Sequence, residues 1–407
     1  MGLLQNIKSF FDVEVRSSEG VKLNDPNLFQ ELGFTAVNSK AGISVTPDKS
    51  MRLATVYACV NLIAETLASL PVHVYRRTQT GKELAFDHPV YSLVNTEPND
   101  LMTPFTFKHS SMVNTLLRGN GYALIQRDRS FRPRSLKLLI PGECSLVYNK
   151  DRDDIYYNVN GKKVMPYDIV HFKGMSLNGL QGLSPISYAK ETIGLGMAAE
   201  QFGASFYGNG ANMSGVLETD QSLKKEQREA LREQLKNRHT GLDNAHSIML
   251  LDGGLKYSRM SIAPEDAQFI ETRKLTAVDI CSLFRVPPHM VGHLDRATFN
   301  NIEHQSIEFV KYCLRSWIER YEQELDRKLF REDERGRYFV KFDVNSLMRG
   351  DMKAKGEYYS SMLSWGVYTQ NEVRGYEDLN PKPGLDKHYV PLNMVDANSK
   401  PDPESGN

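Results

Sequence analysis

The sequence predicts an α+β protein in which a mixed helix and strand region leads into two long helices that bracket a small insertion. Two patterns carry this reading. Early in the chain, helical spacing at Val56, Cys59, Val60, Ile63 and Leu67 gives way to strand-like alternation through Leu70, Val72 and Val74. Further on, two proline-opened helical stretches of matched length, 185–207 and 264–285, flank about fifty residues patterned as strand, helix and strands. A length of 407 residues at about 150 per domain allows two to three structural units.

Taken in order, residues 1–45 lack sustained periodicity and are expected to be a flexible arm with one short helix near 3–11. The fold is expected to begin near Pro47. A helix from Thr55 and a strand over 70–75 follow, and Gly81 turns the chain. Pro89 and Pro104 each open a helix, the second stopped by Gly119, Asn120 and Gly121. Short strands are expected over 122–126, 136–140, 145–148, 155–159 and 169–172, with Asn160 and Gly161 as a hairpin turn.

Ser184 as N-cap and Pro185 in the first turn open a helix running to about residue 207, roughly 34 Å at 1.5 Å per residue. The insertion, 211–263, reads as a strand over 215–218, a charged helix over 223–238, and strands over 247–251 and 255–260. A segment of that size buries little surface alone, so neighbouring copies are expected to support it. Pro264, Glu265 and Asp266 open the second long helix, and Pro287 with Pro288 ends it. After a loop over 289–299, Asn300 and Glu303 resemble a capping box for the longest helix, whose apolar stripe includes Phe309, Cys313, Trp317, Tyr321 and Leu325. A strand over 338–342, a small helical unit from 351 and a disordered tail from 391 complete the expectation.

The first long helix contains Gly194, Gly196, Ala199 and Gly203, although interior glycine costs about 1 kcal/mol relative to alanine. Close helix approach offsets that cost, either inside one chain or between adjacent subunits of a ring.

Fifty basic and 50 acidic residues give zero net charge, which argues against a non-specific nucleic-acid clamp while leaving local contact with DNA open. Cys59, Cys144, Cys281 and Cys313 form no CxxC pair and are read as reduced core residues. The first residues lack a basic region followed by an apolar run, Asn6 weakens a myristoylation reading of Gly2, and no membrane-length apolar run occurs, so a soluble intracellular product is expected.

Chemistry finds little support. Gly194, Gly196 and Ala199 mimic a dinucleotide fingerprint but sit inside a helix rather than at a strand-to-helix turn. There is no GxxxxGK[ST] loop and no GxSxG elbow. His289 and His293 are four apart, yet the preceding prolines favour a loop, and Asp151, Asp153 and Asp154 read as a solvated turn. No catalytic residue, cofactor or metal ligand is predicted.

Several segments together resemble portal proteins of tailed double-stranded DNA bacteriophages, of the short Hong Kong type found in siphophages. They are TVYACVNLIAETLASLPVHVY at 55–75, HPVYSLV at 88–94, LRGNGYA at 117–123, GLSPI at 182–186, NGANMSGV at 209–216, FRVPP at 284–288, FDV at 342–344 and NEVR at 371–374. The resemblance implies a portal fold: a wing over 46–183 and 301–345, stem helices over 184–210 and 264–286, a clip over 211–263, a tunnel loop over 287–300 and a crown over 346–390. It implies a cyclic homo-oligomer of about twelve subunits at one capsid vertex, without catalytic activity, through which double-stranded DNA is packaged and ejected. The implied partners are the terminase large subunit, the major capsid protein or scaffold, and a head–tail adaptor, with no membrane.

On that frame His293, Arg296, Asn300 and Asn301 are candidates to line the channel. Lys224, Lys225, Arg228, Arg232 and Lys236 are candidates for docking at the clip, although they alternate with Glu226, Glu229 and Glu233 as on a solvated helix face. Gly194, Gly196, Ala199 and Gly203 are candidates for packing between subunits. Two other classes compete: a metal-dependent enzyme with a site around 151–171, and a ring scaffold unrelated to DNA.

Overall fold

A computed structural model describes residues 21–22, 39–79, 81–149, 154–208, 215–218, 225, 229, 256–259, 266–293, 305, 307–344, 352–377 and 379–389. It divides into two units, Met1–Phe342 and Asp343–Asn407.

In the first unit, strand β1 (Val21–Lys22) pairs antiparallel with the later strand Cys144–Asn149. A short helix α1 (Pro47–Ser50) is capped by Thr46, whose side chain accepts from Lys49 N–H. Helix α2 (Ala54–Ser69) buries Val56, Cys59, Val60, Ile63 and Leu67, as its spacing predicts. The chain then extends into β2 (Val72–Thr78) and returns as β3 (Gly81–Leu84). Helices α3 (Pro89–Asn95) and α4 (Pro104–Arg118) open at prolines behind the caps His88 and Thr103, and α4 packs across α2.

Strand β4 (Asn120–Arg127) is central to a sheet ordered β5-β4-β9, with β5 at Pro133–Leu138 and β9 at Ile169–Lys173. Between these lie β6 (Cys144–Asn149), β7 (Asp154–Val159) and β8 (Lys162–Val164), which with β1 form a second antiparallel sheet, β1-β6-β7-β8. The turn between β7 and β8 has Asn160 and Gly161 at φ 49° and 81°, the two left-handed positions that an Asn-Gly hairpin turn requires. β5 stops earlier than the alternation predicted, before Ile140 and Pro141, because proline offers no N–H to a ladder.

Helix α5 (Pro185–Tyr188) and helix α6 (Lys190–Gly208) replace the single expected helix, with a break at Ala189, φ -95° and ψ 20°. The insertion contributes an antiparallel pair, β10 (Gly215–Glu218) with β11 (Lys256–Arg259), and helical backbone at Lys225 and Glu229. The strand expected over 247–251 and the rest of the charged helix lie outside the described residues. Helix α7 (Asp266–Phe284) equals α6 in length, 19 residues each, or about 28 Å.

The expected long helix is helical at 305 and 307–308, passes through a π-helical turn at Phe309–Leu314 and continues as α8 (Arg315–Leu329). Its predicted cap at Asn300 lies outside the described residues. β12 (Tyr338–Phe342) closes the unit by pairing with β2 in a sheet ordered β12-β2-β3, placing Phe342 opposite Val72 and Val340 opposite Val74. α8 packs on β9 and β12, where Tyr321 stacks on Phe172 at 3.8 Å between ring centroids.

The expected start of the fold near Pro47 is too late. Ser39 and Val45 are buried, Ser39 N–H donates to Ile43 O at 2.9 Å, and Lys40 N–H donates to Glu191 at 2.9 Å. A turn before α1 therefore packs against α6, a long-range contact that local periodicity cannot announce. The short helix near 3–11 lies outside the described residues.

The second unit contains α9 (Met352–Ser364) and α10 (Gln370–Tyr376). Gly366, at φ 64°, turns the chain between them, and Thr369 with Glu372 forms a reciprocal capping box. Glu377 accepts from Lys355 at 2.6 Å and from Tyr359 at 2.8 Å, tying the two helices together. The tail from 391 lies outside the described residues.

Candidate stem and channel surfaces

The end of α4 is joined to the segment before α5 by a knot of backbone. α4 ends at Gly119 with φ 78°, the left-handed conformation that closes helices. A Cβ on Gly119 would stand 2.3 Å from Leu183 O, and one on Gly182 would stand 2.0 Å from Gly119 O. Gly174 N–H donates to Gly119 O at 2.8 Å. Asn120 completes the knot: its Nδ2 donates to Gly182 O and its Oδ1 accepts from Gly182 N–H, both at 2.8 Å. Ser184 caps α5 and donates its hydroxyl to Leu117 O at 2.8 Å.

His171 supports Asn120 from beneath. Its Nε2 lies 2.8 Å from Asn120 Oδ1 and its Nδ1 lies 3.0 Å from the Tyr157 hydroxyl. Because Asn120 Oδ1 can only accept, Nε2 carries the proton and Nδ1 accepts from Tyr157. Burial, and then the charges of Lys173 and Lys328, hold the imidazole well below its ordinary pKa. It is a neutral structural histidine, which places the residues around 171 in a packed core rather than an open catalytic cleft.

The two helices expected to form the stem, α6 and α7, pack against each other, and α7 also packs on α2. Gly194 and Gly196 are buried by their own chain. A Cβ on Gly194 would meet Ser39 Cβ at 2.4 Å, and one on Gly196 would meet Leu53 Cδ2 at 3.0 Å and Thr276 Cγ2 at 3.1 Å. Of the alternatives for offsetting glycine cost, packing inside one chain therefore accounts for these two. Gly203 is buried and Ala199 half-buried. Leu195 and Phe202 on α6, and Leu275 and Val278 on α7, are exposed.

A groove of about 510 Å³ runs between α2, α6 and α7. Leu53, Ala58, Ala277, Ile280 and Val291 line its apolar part, with His293 at one end. Glu200 and Arg273, also in its lining, approach to 3.7 Å. In the core beside it, Cys59 Sγ and Cys281 Sγ lie 3.9 Å apart, and all four cysteines are buried and free.

α7 ends at Arg285, whose φ is 55°. Pro287 and a 3-10 turn at Pro288–Val291 follow, and Gly292 at φ 90° ends that turn. Cys313 in the π-helical turn donates its thiol to Phe284 O at 3.5 Å, fastening α7 to the wing helix. Both ring nitrogens of His289 are buried without a hydrogen-bond partner among the described residues.

Of the predicted channel residues, His293 is half-buried and lines the groove, while Arg296, Asn300 and Asn301 lie outside the described residues. At the clip, Lys225 is helical and exposed; Lys224, Arg228, Arg232 and Lys236 lie outside the described residues. Asp151 and Asp153 do too, and Asp154 pairs with Lys163 at 2.8 Å. Among the described residues no group of three or more His, Cys, Asp or Glu side chains could hold a metal ion, and no helix is long and apolar enough to cross a membrane. Sequence reasoning missed the Asn120–His171 support, although Asn120 between two glycines at a helix stop marks a position where a side chain can reach backbone. It also passed over Arg285, where a helix stop without glycine was the available signal.

The phage portal protein family model matches residues 54–378. The chain is 33% identical over 401 residues to a probable portal protein of Streptomyces phage phiC31, covering 93% of this chain and 85% of that one. A crystal structure of an HK97-family phage portal protein from Corynebacterium diphtheriae matches with a TM-score of 0.59 at 18% identity, over 75% of this chain and 98% of that one. A subunit from the neck of a native gene transfer agent particle, determined with C12 symmetry, matches with a TM-score of 0.54 at 23% identity, over 90% of this chain and 97% of that one.

Proposed function

Because this chain belongs to the phage portal protein family, we propose that about twelve copies close into a ring at one capsid vertex and form the conduit for double-stranded DNA during packaging, retention and ejection. The observation that carries this reading is the family match over 54–378, which spans the wing, both stem helices, the insertion and most of the second unit. The twelvefold symmetry of the matching neck supports the subunit number.

The stem is built for such a ring. A head-to-tail ring needs different, complementary surfaces on the two sides of each subunit. α7 packs Ala277 and Ile280 against its own chain and leaves Leu275 and Val278 exposed, while α6 leaves Leu195 and Phe202 exposed, so both helices carry apolar surface available to neighbouring copies. Ala199, half-buried, joins the subunit contact, whereas Gly194, Gly196 and Gly203, buried within one chain, serve the fold of a single copy. The loop residues Arg296, Asn300 and Asn301 approach the channel, with His293 at its stem-side root. The clip, with Lys224, Lys225, Arg228, Arg232 and Lys236, meets the terminase large subunit during packaging and a head–tail adaptor afterwards. The wing faces the major capsid protein or scaffold. The role is structural, without catalysis.

Native mass spectrometry and negative-stain imaging of the purified protein test the ring. The expected result is a closed ring of about twelve or thirteen copies with a central hole. A chain that stays monomeric or dimeric even with its scaffold and capsid partners refutes the reading. A homogeneous preparation is also expected neither to hydrolyse ATP nor to cut DNA.

A further inference from the structure

Helices α2 and α7 meet thiol to thiol. Cys59 on α2 and Cys281 on α7 are both fully buried, and Cys59 Sγ donates to Cys281 Sγ across 3.9 Å. The contact joins positions 222 apart in the chain. Cys313 gives its thiol to Phe284 O instead, and Cys144 lies in a separate cluster with Leu146, Tyr157 and Ile169. Of the four free cysteines, Cys59 and Cys281 are the two whose sulfurs face each other.

A disulfide holds its sulfurs about 2.05 Å apart. The remaining gap of about 1.9 Å is shared between two side chains, about 1 Å each, which rotation about the Cα–Cβ bonds can supply. Ala58 and Ile280, the sequence neighbours of the two cysteines, line the groove of about 510 Å³ between α2, α6 and α7. A molecule little larger than water therefore reaches the residues adjoining the pair while both helices stay folded. Cys281 is the better nucleophile of the two. Accepting the Cys59 S–H holds its thiol below the ordinary range, whereas donating that proton, together with burial, holds Cys59 above it.

We propose that Cys59 and Cys281 form an oxidisable dithiol, which a hydroperoxide converts to a disulfide that fastens α7 to α2. In the first step the Cys281 sulfur attacks a peroxide oxygen and the O–O bond breaks. With hydrogen peroxide the departing hydroxide takes the thiol proton as water, leaving Cys281 as a sulfenic acid. The Cys59 sulfur then attacks the Cys281 sulfur, the S–O bond breaks, and hydroxide leaves with the Cys59 proton as a second water. Two electrons pass from the two thiols to one peroxide. Thiols stay reduced inside cells and oxidise outside them, so a chain carried out in a released particle gains the cross-link after assembly. That timing rests on the conduit reading; the chemistry of the pair does not. Closing so long a loop removes conformational entropy from the unfolded chain, enough to raise the Tm of the unit Met1–Phe342 by up to about 7 °C.

The test treats the purified full chain with hydrogen peroxide and reads non-reducing peptide maps and Tm before and after dithiothreitol. The expected result is a peptide linking Cys59 to Cys281, two hydrogens lighter than its reduced components, with a raised Tm that dithiothreitol reverses. Cys144→Ala should leave the linked peptide unchanged. Cys59→Ala should abolish it and let oxidation of Cys281 run on to the sulfinic acid. The wild-type map decides the matter even where a variant does not fold. Peroxide that oxidises exposed methionines while both thiols remain open to alkylation in denaturant overturns the proposal. So does a bond from Cys281 to Cys313 or between copies, or a linked form that melts below the reduced one. A chain that forms the linked peptide but no ring refutes the conduit reading and leaves the dithiol standing.

Discussion

Replacing Gly182 by alanine tests the knot that joins the end of α4 to the segment before α5. The new Cβ would stand 2.0 Å from Gly119 O, 2.9 Å from Gly119 C and 2.9 Å from Gly174 N, all of them backbone atoms. Restoring an ordinary contact of 3.4 Å requires the two segments to part by about 1.4 Å. That motion breaks both bonds between Asn120 and Gly182 and strains the bond from Gly174 N–H to Gly119 O, each now 2.8 Å long. Three bonds at about 1 kcal/mol each, with an additional penalty for any amide left buried and unpaired, give a loss of about 3–5 kcal/mol. At about 2.1 cal/mol/K of unfolding entropy per residue, each kcal/mol shifts the Tm of the unit Met1–Phe342 by about 1.4 °C, so differential scanning calorimetry should show a fall of about 4–7 °C. Gly356→Ala is the control, because a Cβ there meets nothing within 4 Å and helix propensity predicts a gain of up to about 1 kcal/mol. A Gly182→Ala transition within about 2 °C of wild type would refute the knot.

Two further substitutions separate opposing titrations. His171 is held neutral when folded and takes up a proton near pH 6.5 when unfolded, so its contribution is present above that pH and is lost by about 1.4 kcal/mol per pH unit as pH falls below it. His171→Gln should be less stable at pH 7.5 but lose stability less steeply between pH 6.5 and 5.5; urea midpoints with parallel pH slopes would contradict this. Burial raises Asp326 to about 6 although its Oδ1 accepts from Val340 N–H at 2.6 Å. The folded carboxyl therefore protonates before the unfolded one, and wild type gains stability as pH falls from about 6 toward 3.9. Asp326→Asn keeps the acceptor, so it should be more stable than wild type at pH 7.5 with that advantage gone by pH 4; an advantage independent of pH in the same urea titrations would count against the assignment.

What was legible in the sequence shares one physical property: its determinants are local. Prolines at 89, 104 and 185 each stand in a first helical turn where the missing N–H has no intrahelical partner. Asn160 and Gly161 take the left-handed angles their types tolerate, and the spacing from Val56 to Leu67 matches the buried face of α2. What was not legible depends on residues distant in the chain. Gly194 makes room for Ser39, in a segment whose composition reads as a loose arm. Asn120 reads as a turn residue until Gly182 and His171 arrive beside it. The break at Ala189 and the π-helical turn at Phe309–Leu314 interrupt a sequence whose local pattern is compatible with continuous helix. Arg285 departs from the local rule outright, holding a left-handed position that favours glycine. Of the candidate site, the paired long helices and their small residues were visible, but that Gly194 and Gly196 make room for Ser39, Leu53 and Thr276 of their own chain required coordinates.

The pairing of β12 with β2 sets a timetable for biosynthesis. Phe342 must meet Val72, 270 positions earlier in the chain, before the β12-β2-β3 sheet is complete. At about 5–20 residues per second, the ribosome needs about 14–54 s to supply the missing strand after Val72 has emerged. During that interval β2 has only the short β3 as a partner, so a nascent chain lacks the finished sheet against which α8 packs. Assembly is thereby deferred until translation has passed Phe342, and a chain truncated earlier is excluded from the ring by its own unfinished sheet.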